Sequence, residues 1–106
     1  MAVVFEINQS KFMALNGGPE YKFSAANSYI ITCDTQEEID YYWDQFGREG
    51  HPGKCGWMID KYGVSWQIVP SVLGKLMSNP ETAPKATYAF LQMSKFVIAD
   101  LENAVK

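Results

Sequence analysis

Residues 28–47 read SYIITCDTQEEIDYYWDQFG, and this stretch decides the fold. Its first six residues, Ser28 to Cys33, are an almost continuous apolar run rich in β-branched side chains, which predicts a strand buried on both faces. From Thr35 the period changes. Ile39, Tyr42, Trp43 and Phe46 recur at i, i+3, i+4 and i+7, so they share one face of a helix running to Phe46. Thr35 and Glu38 have the spacing of a capping box, with Asp34 as an alternative cap, and Gly47 sits where a left-handed C′ residue would close the helix. The acidic group Asp34, Glu37, Glu38 and Asp40 is explained by capping and by the helix macrodipole, without any catalytic role.

Downstream, Cys55 to Ile59, the turn Asp60-Lys-Tyr-Gly63 and Val64 to Val69 predict a β-hairpin that Pro70 ends. Arg48 to Gly53 is too short and glycine-rich to predict a further strand. Upstream, Val3 to Ile7 and Lys11 to Leu15 form a second hairpin across Asn8, Gln9 and Ser10. The segment Asn16-Gly-Gly-Pro19 then breaks the pattern into a loop. The last third is helical: Val72, Leu73, Leu76 and Met77 make an apolar stripe before Asn79-Pro80. A second helix with Pro84 in its first turn reaches about Lys95, and Val97, Ile98, Leu101 and Val105 mark a final turn or two.

The 106 residues therefore suit one α+β domain: a hairpin at 3–15, a strand-helix-hairpin unit at 27–69 and a helical tail at 71–106. With 47% hydrophobic residues and fifteen aromatics the chain is rich enough in apolar surface to fold. The net charge of −3 is small and the basic residues are scattered, so neither nucleic acid nor an anionic membrane surface is an expected partner. No apolar run is long enough for a membrane span and no signal peptide opens the sequence, so the expected compartment is the cytoplasm, with Cys33 and Cys55 as packed, reduced thiols.

Four segments carry a more specific likeness: Phe12-Met-Ala-Leu-Asn-Gly-Gly-Pro19, Thr35-Gln-Glu-Glu-Ile-Asp-Tyr-Tyr-Trp43, Cys55-Gly-Trp-Met-Ile-Asp-Lys-Tyr-Gly63 and Val64-Ser-Trp-Gln-Ile-Val-Pro70. In this order they resemble the PhnB-like branch of the vicinal oxygen chelate superfamily, the glyoxalase, bleomycin resistance and dioxygenase group. Its members are often labelled demethylubiquinone methyltransferase-like. The resemblance implies a βαβββ-type mixed sheet with a helical C-terminal tail. The superfamily's unit holds two such modules, whereas here the first retains only its last hairpin and the second is trimmed. Exposed strand edges invite pairing with another chain, so a homodimer that completes the cup is the expected partner arrangement.

The methyltransferase label implies a site for S-adenosylmethionine, usually a glycine-rich turn that opens a helix. Gly17-Gly18 instead precedes Pro19 and a loop. Metal-using relatives hold a divalent ion with His and Glu. Matching the Asp60-x-x-Gly63 turn puts Gln67 at the position of a Glu, the distance to Asp34 puts Ser28 at the position of a His, and Ala14 takes the remaining Glu position. None is a strong ligand, so no cofactor is expected, and any divalent ion would be weakly held.

The ligand-binding candidates are therefore Gln67 and Ser65, on one face of their strand, together with Ser28 and the lone histidine, His51. Trp66 and Ile68 should face the helices as core. His51 lies in a loop and is either a general base, if that loop closes, or a solvated residue. Cys55 reads better as a buried strand thiol than as a nucleophile. The function these readings imply is small-molecule binding in a cup at the subunit interface, with chemistry on vicinal oxygens as one outcome. The alternatives are a non-enzymatic sequestering protein, and an interaction module that has lost the active site and works through its tail.

Overall fold

The computed structural model describes residues 1–106. The chain begins with strands β1 (Ala2–Ile7) and β2 (Ser10–Leu15), antiparallel with Ile7 opposite Ser10. Asn8 and Gln9 both have positive φ, 52° and 71°, as a two-residue hairpin loop that matches strand twist requires. β3 (Tyr29–Cys33) then leads into helix α1 (Gln36–Gly47), and β4 (His51–Pro52), β5 (Trp57–Ile59) and β6 (Ser65–Pro70) follow. The second sheet runs β3-β6-β5-β4, with β3 parallel to β6 and the other pairs antiparallel. That is one complete βαβββ module in a mixed α+β fold.

Two expectations change here. The segment before Lys54 does hold a strand, because His51 and Pro52 pair with Ile59 and Met58. β3 is buried on one side only: Cys33, on the side facing α1, is fully buried, while Ile30 on the other side is 62% exposed.

Helix α1 starts as its capping signal requires. Thr35 Oγ1 accepts from the Glu38 backbone N–H, and Glu38 reaches back to accept from the N–H of Asp34. The end differs from the expectation. Gly47 belongs to the helix and Arg48 caps it in right-handed conformation. A Cβ at Gly47 would lie 3.1 Å from Met58 Cε, the flexible end of that side chain, so the glycine eases close helix-to-sheet packing and makes no left-handed turn.

Tail helices α2 (Val72–Ser78), α3 (Ala83–Phe90) and α4 (Ile98–Ala104) pack in series, α2 on α3 and α3 on α4, and α3 and α4 bring Ala86 and Leu101 to the core that holds Ile39 of α1. α3 stops at Phe90, short of Lys95, because the chain turns to present its carbonyls elsewhere: those of Met93 and Ser94 accept from the N–H groups of Cys55 and Gly56. The core joins both parts of the molecule, with Cys33, Ile39, Met58 and Ile68 from the module and Ala86, Phe96 and Leu101 from the tail. No helix is long and apolar enough to cross a membrane.

Candidate functional site

Residues paired across a ladder project from the same face of the sheet. Tyr29 and Met58 both pair with Trp66, and Ile31 pairs with Ile68. These side chains face α1, where the rings of Trp66 and Phe46 stack at 4.8 Å. Trp66 and Ile68 are therefore on the helix side, as the alternation predicts. Asp60 fixes this arrangement: its Oδ1 accepts from the N–H groups of Tyr62 and Val64, and its Oδ2 accepts from Trp66 Nε1 at 2.8 Å.

The opposite face is partly open: Ile30 and Ile59 are 62% and 39% exposed, whereas Ser65 is buried and Val69 packs against the core cluster. Ile30 and Trp57 flank Gln67 in one cross-strand row, and Ser65, Ile59 and His51 form the next. Gln67, Ser65 and His51 thus share the open face, and Gln67 brings in the fourth candidate by donating from Nε2 to Ser28 Oγ at 3.0 Å. This bond leaves Gln67 Oε1 as a free acceptor beside the Ser28 O–H donor. Ser65 is only 2% exposed, so its hydroxyl is buried beneath this face and not presented to solvent.

His51 stands apart from that cluster. It is exposed, held in β4 against Ile59, and not in a loop free to close. Two strand spacings separate it from Ser65, about 10 Å, so it cannot share a proton with the Gln67–Ser28 pair directly. Ala14 lies on β2, away from this sheet.

The donor set does not fit a divalent cation. Gln67, Ser28 and Ser65 offer only neutral oxygens, and no three His, Cys, Asp or Glu side chains converge anywhere in the chain. S-adenosylmethionine fits no better by the glycine-rich-turn criterion. The one strand-to-helix junction of the module, Asp34-Thr35, lacks glycine, and Thr35 and Glu38 occupy its free amides.

Cys55 departs from its expected strand. It has φ 56° and precedes Gly56 at φ 83°, forming a left-handed turn that aims both N–H groups at the tail. No sequence signal marked that turn, because Cys-Gly is not a strong turn pair in isolation. A separate groove of about 420 Å³ opens between the start of α1 and α4, lined by Thr35, Gln36 and Glu102 among others, and shares no residue with the open sheet face.

Comparison with known proteins places these features in context. Residues 1–69 match the family model described as 3-demethylubiquinone-9 3-methyltransferase. A solved PhnB protein from Bacillus cereus, itself described in the terms of that family, superposes with a TM-score of 0.61 at 30% sequence identity. The match covers 67% of this chain and 64% of that one, so the chain spans less than two thirds of its solved relative. No curated protein matches.

Proposed function

Given that the chain belongs to the 3-demethylubiquinone-9 3-methyltransferase, or PhnB-like, family, we propose that it binds an uncharged small molecule on the open face of its four-stranded sheet. In this reading the cup is completed at the interface of a homodimer, and the protein works in the cytoplasm with Cys33 and Cys55 as free thiols. The observation that carries the reading is the Gln67–Ser28 hydrogen bond. A preset acceptor and a hydroxyl lie within an apolar frame of Ile30, Trp57 and Ile59, the usual make-up of a small-molecule site. The face of these strands carries no Asp, Glu, Lys or Arg, which selects against charged ligands.

For a ligand with neighbouring oxygens, Ser28 O–H donates to one and Gln67 Oε1 accepts from a hydroxyl on the next. An oxygen gaining negative charge would be stabilised by the hydroxyl of Ser28. One observation favours binding without turnover as a second reading: the only histidine lies two strands from this cluster, so no imidazole is in reach as a base.

The test is Gln67→Ala, assayed by calorimetry against a panel of uncharged cyclic and aromatic compounds bearing adjacent oxygens. Binding should weaken about tenfold to a hundredfold, the worth of one or two hydrogen bonds in a desolvated site, while the melting temperature stays within a few degrees. Unchanged affinity would remove Gln67 from the site. Tight binding with no product formed would establish the sequestering function.

A further inference from the structure

We infer that residues 17–27, between β2 and β3, form a hinged strap whose closed position is set by the Gln67–Ser28 hydrogen bond. A ligand group that displaces this bond therefore also frees the strap, a consequence that rests on the reading of Gln67 as a binding residue.

The strap has little of its own to hold it. Every residue from Asn16 to Asn27 is exposed, Tyr21 and Phe23 at 80% and 69%. Its hydrogen bonds are internal: the N–H groups of Ala26 and Asn27 donate to the Ser24 hydroxyl and carbonyl at 3.3 and 3.4 Å, and residues 17–27 make none to the rest of the chain. Glu20 and Lys22 join no ion pair. A segment with so few buried contacts and so much solvent-exposed backbone belongs to the part of a fold that opens at small cost.

Its two ends differ. At the start, Gly17 and Gly18 supply a hinge, with Gly18 at φ 90°, a conformation open to glycine and strained for other residues. At the far end Ser28 is half-buried, and its Oγ accepts from Gln67 Nε2 at 3.0 Å. Between them Phe23 rests on the body over Gly63, where a Cβ would stand 3.8 Å from the Phe23 Cβ. Gly63 lies just before β6 and Ser28 just before β3, and these strands run parallel with Tyr29 opposite Trp66. Both anchors are therefore at one end of the sheet. Phe23 is mostly in water and holds weakly, whereas the hydrogen bond is part-buried and is the stronger of the two. Once it is lost, the strap is tethered through Phe23 alone.

Lys22 puts a trypsin site in the middle of the strap. The experiment measures initial rates of tryptic cutting after Lys22, and after Lys85 inside α3 as the marker of global unfolding, for the wild type, Gln67→Ala, Ser28→Ala and the double variant. Removing the bond by substitution stands for its displacement by a ligand. Where opening is fast relative to cleavage the rate follows the open population, so losing one hydrogen bond should raise cutting at Lys22 about fivefold in each single variant. The double variant should be cut no faster than either single one, because both substitutions remove the same bond. Cutting at Lys85 should not change.

Unchanged cutting at Lys22, additive effects of the two substitutions, or an equal rise at Lys85 would each overturn the inference. Calorimetry of Gln67→Ala against the same panel of compounds separates it from the reading beneath it. Lost ligand binding with unchanged cutting at Lys22 sinks the strap alone, and faster cutting with unchanged affinity sinks Gln67 as a binding residue alone.

Discussion

Cys33 shows how burial sets the chemistry of a single group. Desolvation raises its thiol pKa above the ordinary value, and the carboxylates of Glu38 and Asp34 add to the shift. The sign follows directly: above about pH 9 the unfolded chain releases this proton while the folded chain holds it. The thiol's contribution to stability is therefore intact below that pH and declines above it. The melting temperature of the wild type should fall more steeply between pH 8.5 and 10 than that of Cys33→Ala, whose absolute stability will be lower. Parallel slopes would refute the assignment. Native alkylation should also label the half-buried Cys55 first.

Gly56 gives the opposite lesson, because its role was not legible in the sequence. It reads as a strand residue between Cys55 and Trp57, yet it has φ 83°, and a Cβ there would lie 2.5 Å from the Phe96 ring and 2.8 Å from the Ile68 carbonyl oxygen. The constraint comes from a residue forty positions away, and local pattern cannot show it. Gly56→Ala should destabilise the protein by about 2 kcal/mol or more, from the left-handed backbone together with the clash, read as a lower urea midpoint. Gln67 and Ser28 were accessible to sequence reasoning only through family resemblance; the β3–β6 register then sets them one row apart, where they bond.

Among elements, α1 was the most readable because both its period and its N-terminal cap are written in adjacent residues. β4 was the least readable. Two residues, one of them proline, cannot show alternation, and only the partner strand defines them. The short α3 belongs to the same class, since helical pattern continued past Phe90 but the carbonyls of Met93 and Ser94 were required by Cys55 and Gly56.

Beside the shared core, one side chain hydrogen-bonds α1 to the tail. Gln36 Nε2 donates to the Phe96 carbonyl at 2.9 Å, and Gln36 Oε1 accepts from Ile98 N–H at 2.8 Å, so the amide bridges to the tail as a second backbone would. Lys95 adds an ion pair to Asp40 at 2.9 Å, and hydrogen bonds from Gln36 and Lys95 hold the Asp40 carboxyl below its usual range. The amide bridge is part-buried and the ion pair is largely exposed, which ranks them. Gln36→Ala should cost about 1–3 kcal/mol in chemical denaturation, and Lys95→Ala under about 1 kcal/mol with a further loss of effect at high salt. Equal costs would show that the bridge does not govern the junction.

At the scale of the molecule the deciding fact is how little core there is. Ten of 106 residues are buried, and three of the seven in the hydrophobic cluster, Ala86, Phe96 and Leu101, come from the tail. A domain this size has little stability in reserve, and deleting a buried aromatic alone costs about 3–5 kcal/mol. The sequence displayed the tail's apolar stripe without showing where it docks, which left an interaction module as one reading. In the structure Leu101 lies within the core that holds Ile39, Ile68 and Cys33, and Leu73, Leu76, Ile98 and Val105 are partly buried against it, while Met77 stays 40% exposed. Removing Leu76–Lys106 should therefore abolish cooperative thermal unfolding and the near-UV signal of Trp66, and small-molecule binding should be lost with them. A truncated chain that keeps its transition and its ligand would instead make the tail a separable module, and would favour the reading of the tail as an interaction module.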